Sequence, residues 1–283
     1  MKQTLNRNMF FLDGMVVLAK PEVLDSLTPG MLTGQGVFET MRAYQGKIFA
    51  ASEHLSRLKA GLRQLGITVP YSAGKLKVYL RITLESNKLS NARVRLTVWK
   101  EGSRLRIAIV ALPYKPYSSR AYQKGFKITV SDVVCDEGTR ETRIKSIDYG
   151  AFLSAYQKAF RRGFDEALVL NRRGDIVEGS RSNIFWVKNG LLMTPALACG
   201  CLKGITRQKV LGLSRQLKIN VRQKQGKLEE LLEAEEIFVT NSIIEIMPVT
   251  MLDRRRIGSG RPGQMSRLLM KEYRSLVVKA VNL

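Results

Sequence analysis

VVCDEGTRETRIKSIDYGAFLSAYQKAFRRGFDEALVLNRRGDIVEGSRSNIFWVKNGLLMTP runs from Val133 to Pro195. One lysine in it, Lys145, stands at the head of an apolar helical pattern. One carboxylate, Glu178, stands in a short polar loop before the strand-like NIFWV. Burial between apolar elements disfavours an ammonium and leaves a nucleophilic amine. The pattern after the lysine predicts a helix over 150–161 with Phe152, Ala155, Tyr156, Ala159 and Phe160 on one face. Strands follow, and Lys188-Asn189-Gly190 between FWV and LLM is a hairpin turn signal. Helical patterns recur near 207–217 and 264–279, with a strand EIFVT at 236–240 between them.

Toward the N-terminus, Val16–Leu18 and Lys47–Phe49 read as short strands around a Gly-rich turn, GQGVFETMRAYQG. ASEHLSRLKAGLRQLGI then sets Leu55, Leu58, Leu62 and Leu65 on one helical face, with Ser52 as N-cap and Gly66 as stop. Lys75–Leu84 reads as a second helix. RVRLTVW (93–99) alternates at period two, and LRIAIVAL (105–112) is a denser strand. PYKPYSSRAYQKG has no periodicity and marks the expected boundary. These signals predict a mixed α/β chain with a small N-terminal domain (1–117), a linker (118–124) and a larger C-terminal domain (125–283), a strand at 126–132 opening the latter.

The chain has 283 residues, enough for two modest domains, and 45% apolar residues, the composition of a globular protein. No apolar run reaches the ~18–20 residues of a membrane span. The first residues lack the long apolar core of a signal peptide, so a cytoplasmic protein is expected. Cys199 and Cys201 are separated by one residue, which suits neither a redox pair nor a zinc half-site, and His54 is the single histidine, so no metal is expected. The net charge of +23 is spread along the chain, with Arg254–Arg256 the longest run; this is a solvated surface rather than a nucleic-acid motif.

Three features point to an anionic cofactor bearing a carbonyl. Lys145 offers an amine for a Schiff base, and Glu178 offers a carboxylate for a pyridinium nitrogen. In KGITR (203–207), Gly204, Ile205 and Thr206 open a helix whose N–H groups and hydroxyl suit a phosphate. Each also has an ordinary reading, as an exposed lysine, a loop acid and a capped helix.

Their order along the chain carries more. E178-G-S-R-S-N183-I-F185, then L192-M-T194, then L202-K-G-I-T206-R207 resembles the signature of the fold type IV, or class IV, aminotransferases. That family includes branched-chain and D-amino acid aminotransferases and 4-amino-4-deoxychorismate lyase. GQGVFETMRAYQGKIFASEHLSRL, RIKSIDY and FVTNSIIEIMPV are similar to its N-terminal, lysine and second phosphate-loop segments. The resemblance implies pyridoxal 5′-phosphate in the cleft between the two domains. Lys145 would hold it and shuttle the proton, Glu178 would keep the ring nitrogen protonated, and Tyr149 would lie near the phenolic oxygen. Arg57, Ile205, Thr206 and Ser242 would bind the phosphate, while His54 would be structural. Asp148 and Arg181 depart from the common pattern, where Asn and a small residue often stand.

Arg42, Arg95 and Lys100 are candidates for the substrate carboxylate. Phe38-Glu39-Thr40 and Thr240-Asn241-Ser242 are more similar to the lyases, RIKSIDY and GFDEALVLN to the transaminases. The expectation is an aminotransferase acting between an amino acid, branched-chain or similarly small, and a 2-oxo acid. The lyase releasing pyruvate and 4-aminobenzoate is the alternative. We expect a homodimer that binds neither membrane nor nucleic acid.

Overall fold

A computed structural model describes residues 9–20, 35–136, 138 and 144–282. Residues 1–8, on which the expectation about a signal peptide partly rests, lie outside them. The chain divides into two compact units. The first runs to Lys115 and takes in Ile144–Asp148 and the residues from Ala280 onward; the second comprises Pro116–Arg143 and Tyr149–Lys279.

The first unit holds β1 (Met9–Leu12), β2 (Met15–Leu18), β3 (Gly36–Tyr44), β4 (Lys47–Ile48), α1 (Ala51–Gln64), α2 (Ala73–Ser86), β5 (Ala92–Glu101) and β6 (Arg104–Pro113). The strands form one antiparallel sheet in the order β2-β1-β6-β5-β3-β4. Here the stretch read as a Gly-rich turn is a nine-residue strand, β3. Its one glycine, Gly36, opens the strand, while Val37, Met41 and Ala43 alternate into the core, so period two governs the interior. The turn is confined to Gln45-Gly46.

Leu55, Leu58 and Leu62 of α1 and Leu76, Leu80 and Leu84 of α2 bury against that face. Leu65 is only partly buried. The α1 N-cap is Ala50 in a left-handed conformation with no side-chain cap, not Ser52, so the helix starts earlier than the serine indicated. Ile144 joins the same core, and Ser146 bridges to Val37.

The second unit holds α3 (Ser119–Lys124), β7 (Phe126–Cys135), α4 (Gly150–Arg161), β8 (Glu166–Asn171), β9 (Ile176–Gly179), β10 (Asn183–Lys188) and β11 (Leu191–Pro195). It continues with α5 (Ile205–Gln216), β12 (Val221–Lys224), α6 (Leu228–Leu232), β13 (Glu236–Asn241), β14 (Glu245–Leu252), β15 (Arg255–Arg256) and α7 (Gln264–Asn282). Its sheet runs β12-β11-β10-β13-β14-β7-β8-β9, with β15 on β14. The β11–β12, β14–β7 and β7–β8 pairs are parallel and the rest antiparallel.

The expected linker at 118–124 is instead α3. Ser118 caps it by accepting from the Ala121 N–H, and buried Tyr122 donates to the Ile244 carbonyl at 3.0 Å. On α4 only Ala155 and Ala159 are buried, beside Ala167. These small side chains bring the helix close to the sheet, which leaves Phe152 and Tyr156 half-buried at its flanks and Phe160 exposed. Among the described residues, no helix is long and apolar enough to cross a membrane.

Candidate active site

In the first unit the lysine segment lies along the start of β3. The Phe38 N–H donates to the Lys145 carbonyl at 2.9 Å, and the Ile147 N–H donates to the Gly36 carbonyl at 3.0 Å. This docking leaves Lys145 half-buried with Nζ 4.6 Å from the centre of the Phe38 ring. Arg95, from β5, stacks on the same ring at 3.7 Å, so the structure brings Arg95 and Lys145 to one aromatic side chain. Arg42 is buried over the rings of Tyr44 (4.3 Å) and Tyr114 (4.8 Å). Lys100 is exposed near the end of β5 and takes no part in the Phe38 cluster.

Behind β3 the sequence placed Arg57 and His54 on one helix; the structure adds the acid that joins them. Fully buried Glu39 accepts from Arg57 Nε at Oε1 and from Arg57 Nη2 at Oε2, both at 2.7 Å. His54 Nδ1 meets Oε2 at 2.6 Å. Burial pushes the Glu39 carboxyl up, but the charge and hydrogen bonds of Arg57 and the contact with His54 overcome it and hold the pKa at about 2. An ionised carboxylate only accepts, so His54 donates from Nδ1.

In the second unit Glu178 closes β9 and is almost entirely buried. Its Oε2 accepts from Asn183 Nδ2 at 2.9 Å and from the Leu202 N–H at 3.0 Å. Asn183 Nδ2 also donates to the Leu202 carbonyl at 2.8 Å, which ties the signature loop to the segment entering α5. Gly204, the N-cap of α5, packs so closely on Asn183 that an added Cβ would overlap its Oδ1.

Glu166, buried at the start of β8, gathers the loop between. It accepts from the Ser180 hydroxyl, the Ser182 hydroxyl (2.8 Å) and the Arg181 N–H (3.3 Å). Tyr149 donates its hydroxyl to the Ser180 carbonyl and stacks on Phe152. Arg181 stacks on Tyr156, 3.2 Å from the ring centre. Asp148 is exposed, and its N–H donates to Ser146 Oγ.

At the start of α5, Ile205 and Thr206 are buried, and the helix has no side-chain cap. The hydroxyls of Thr206 and Thr240 are buried without a hydrogen-bond partner among the described residues. Asn241 shapes the second loop, accepting at Oδ1 from the N–H groups of Ile243 and Ile244 at 2.9 Å and donating to the Arg181 carbonyl at 3.0 Å. Ser242 follows, half-buried.

The family described as amino-transferase class IV has a model that matches residues 36–252, a span that holds the docked lysine segment, the buried Glu178 and the uncapped start of α5. The chain belongs to the class IV aminotransferases. A branched-chain-amino-acid aminotransferase of Pseudomonas aeruginosa is 33% identical over 283 residues, covering 94% of this chain and 91% of that protein. A D-alanine aminotransferase of Listeria monocytogenes is 30% identical, covering 89% and 90%. A branched-chain amino acid aminotransferase from T.th., solved with pyridoxamine 5′-phosphate, superposes with a TM-score of 0.86 at 25% identity, covering 95% of this chain and 93% of that one.

Class IV aminotransferases use pyridoxal 5′-phosphate, and this aminotransferase has the donors for it. Phosphate oxygens would satisfy the Thr206 hydroxyl, costly to leave buried without a partner, and the N–H groups that open an uncapped helix suit the same anion. The neighbouring thiol is unsuited to nucleophilic work. Burial, reinforced by the Glu178 charge, pushes Cys201 up to about 12.

Sequence reasoning assigned no role to Glu39, Asn183 or Glu166. Each works through a partner brought near by strand pairing or helix packing, a relation that local pattern does not carry. The signal available was position: Asn183 closes the signature loop, and Glu39 lies within the N-terminal family segment.

Proposed function

We propose that this aminotransferase moves the amino group between a branched-chain or similarly small amino acid and a 2-oxo acid, with Lys145 as its catalytic base. The bound cofactor supplies an electron sink for the carbanion formed at the substrate α-carbon. Lys145 would hold the cofactor, and its amine would then be the base that takes the proton from the substrate α-carbon and later gives it back. Glu178 keeps the proton on the pyridine nitrogen, and its fixed carboxylate is the observation that carries this reading: both bonds to Oε2 come from neutral donors that hold its direction. Tyr149, its hydroxyl oriented by the Ser180 carbonyl, would sit by the phenolic oxygen. Arg57, Ile205, Thr206 and Ser242 bind the phosphate. Arg95 takes the substrate carboxylate beside Phe38, supported by its stacking on the ring that Lys145 also faces, with Arg42 on the same strand as Phe38. Lys100, exposed, contributes charge only. The enzyme works as a cytoplasmic homodimer.

The experiment is a product assay. Leucine, valine or isoleucine with 2-oxoglutarate should give glutamate and the matching 2-oxo acid, with no pyruvate. Pyruvate and 4-aminobenzoate from 4-amino-4-deoxychorismate, without any acceptor, would instead establish the lyase, which the similarity of Phe38-Glu39-Thr40 favours.

A further inference from the structure

The Glu39–Arg57–His54 chain raises a question of charge. An arginine that binds a dianionic phosphate attracts it best when its own charge is uncompensated, yet a buried carboxylate neutralises Arg57 from behind. The geometry shows what that arrangement supplies. Two parallel bonds from one carboxylate fix the plane and rotation of a guanidinium, which a single bond would leave to swing. Here they occupy the Nε–Nη2 edge, and so set the direction of Nη1 on the opposite side. Nε offers no further proton, so an anion meets Arg57 through its terminal nitrogens alone. Glu39 is itself immobilised, because Oε2 also takes the bond from His54 Nδ1. His54 and Arg57 lie three residues apart on α1, one turn along the same face, so both converge on the one acid from β3.

We propose that Glu39, locked by His54, is the positioning residue that aims the Arg57 guanidinium at the cofactor phosphate, exchanging some electrostatic attraction for fixed orientation. The inference rests on Arg57 being a phosphate ligand, and it assigns the protein's only histidine a part in phosphate recognition. It also makes the preference for phosphorylated over unphosphorylated cofactor depend in part on the first unit's buried polar chain.

The test compares the dissociation constants of pyridoxal 5′-phosphate and of pyridoxal, titrated by absorbance against the full-length chain stripped of cofactor. Wild type, Glu39→Gln, Arg57→Gln and the double variant are measured. A glutamine presents an amide N–H₂ to a guanidinium N–H, which breaks one arm of the fork. Glu39→Gln should therefore weaken the phosphorylated cofactor by about tenfold or more. Pyridoxal should change by less than about twofold, and the added effect should vanish in the Arg57→Gln background. Equal weakening of both cofactors by Glu39→Gln, or an undiminished effect without Arg57, would overturn the proposal and reduce the chain to a scaffold. An Arg57→Gln protein with unchanged preference would instead remove Arg57 from the phosphate and take the proposal with it. Should Glu39→Gln fail to fold, His54 carries the test. His54→Asn keeps a donor to Oε2 and should retain the preference, while His54→Ala should lose several-fold of it; the same preference in both would overturn the proposal.

Discussion

The proposed mechanism rests on a single amine and a single carboxylate, and their surroundings predict how each variant fails. Lys145 is held through its backbone by Gly36 and Phe38, so Lys145→Ala removes the amine without unpicking the docking that places it. Turnover should fall by ~10²-fold or more, since proton transfer loses its positioned base. Borohydride applied to the wild-type holoenzyme should fix the cofactor to the peptide bearing Lys145; label on another lysine would remove it from the role. Glu178→Gln keeps an oxygen able to accept from Asn183 and Leu202 but loses the charge that, in the proposed mechanism, holds the ring-nitrogen proton. A large fall in turnover with little loss of cofactor on dialysis is expected. A near-normal rate would mean that the ring nitrogen is served by another group. Both residues could be singled out in the sequence because each sits in a motif of fixed local spacing. Glu39 was not: its partners lie 15 and 18 residues away and meet it only when α1 packs on β3.

The entrance to α5 shows how an element can be tuned through one missing atom. Gly204 packs on Asn183, and Asn183 holds both Glu178 and the Leu202 carbonyl. Gly204→Ala should push the Asn183 amide aside, at a cost of about 1–3 kcal/mol in stability. It should also impair turnover more than the loss of stability explains. Urea melts beside kcat separate the two effects, and an alanine variant with unchanged kcat would mean that the carboxylate is not oriented from this helix. Most elements could be read from periodicity because their buried faces are regular: leucines on α1 and α2, alternation on β5, the Asn189-Gly190 hairpin. The errors share one physical origin. β3 was hidden by Gly36 at its start and by the Gln45-Gly46 turn after it, α3 by the serines and prolines around it, and Phe160 was assigned to a core that two alanines already fill.

At the scale of the whole molecule, Glu39 also sets a pH limit. Its folded-state pKa of about 2 lies below the ordinary 4.5, so acid favours the unfolded chain, which binds the proton more readily. The contribution, on the order of 3 kcal/mol, is fully present above about pH 4.5 and is lost as pH falls toward 2. Urea midpoints should drop through that window in the wild type, and Glu39→Gln should flatten the drop. Parallel curves would place the acid sensitivity on other carboxylates. The division into two units followed less from composition than from pairing. The boundary at Lys115 lies close to the Pro-rich stretch, but nothing in local sequence marks Ile144–Asp148 as belonging with the first unit.

That discontinuity has a consequence for how the protein is made. All six strands of the first unit are synthesised by Pro113, and its antiparallel sheet is then complete in backbone terms. Ile144–Asp148 leave the ribosome only after Phe126–Cys135, a strand of the other sheet, has emerged. The edge at Gly36–Phe38, where the lysine backbone bonds, and the core position of Ile144 can therefore be completed only after part of the second unit has been synthesised. A fragment ending at Lys115 would carry Arg57, the proposed phosphate ligand, but not Lys145, the proposed catalytic amine, so on that reading the enzyme cannot be divided at its most obvious boundary into a working half and a spare one.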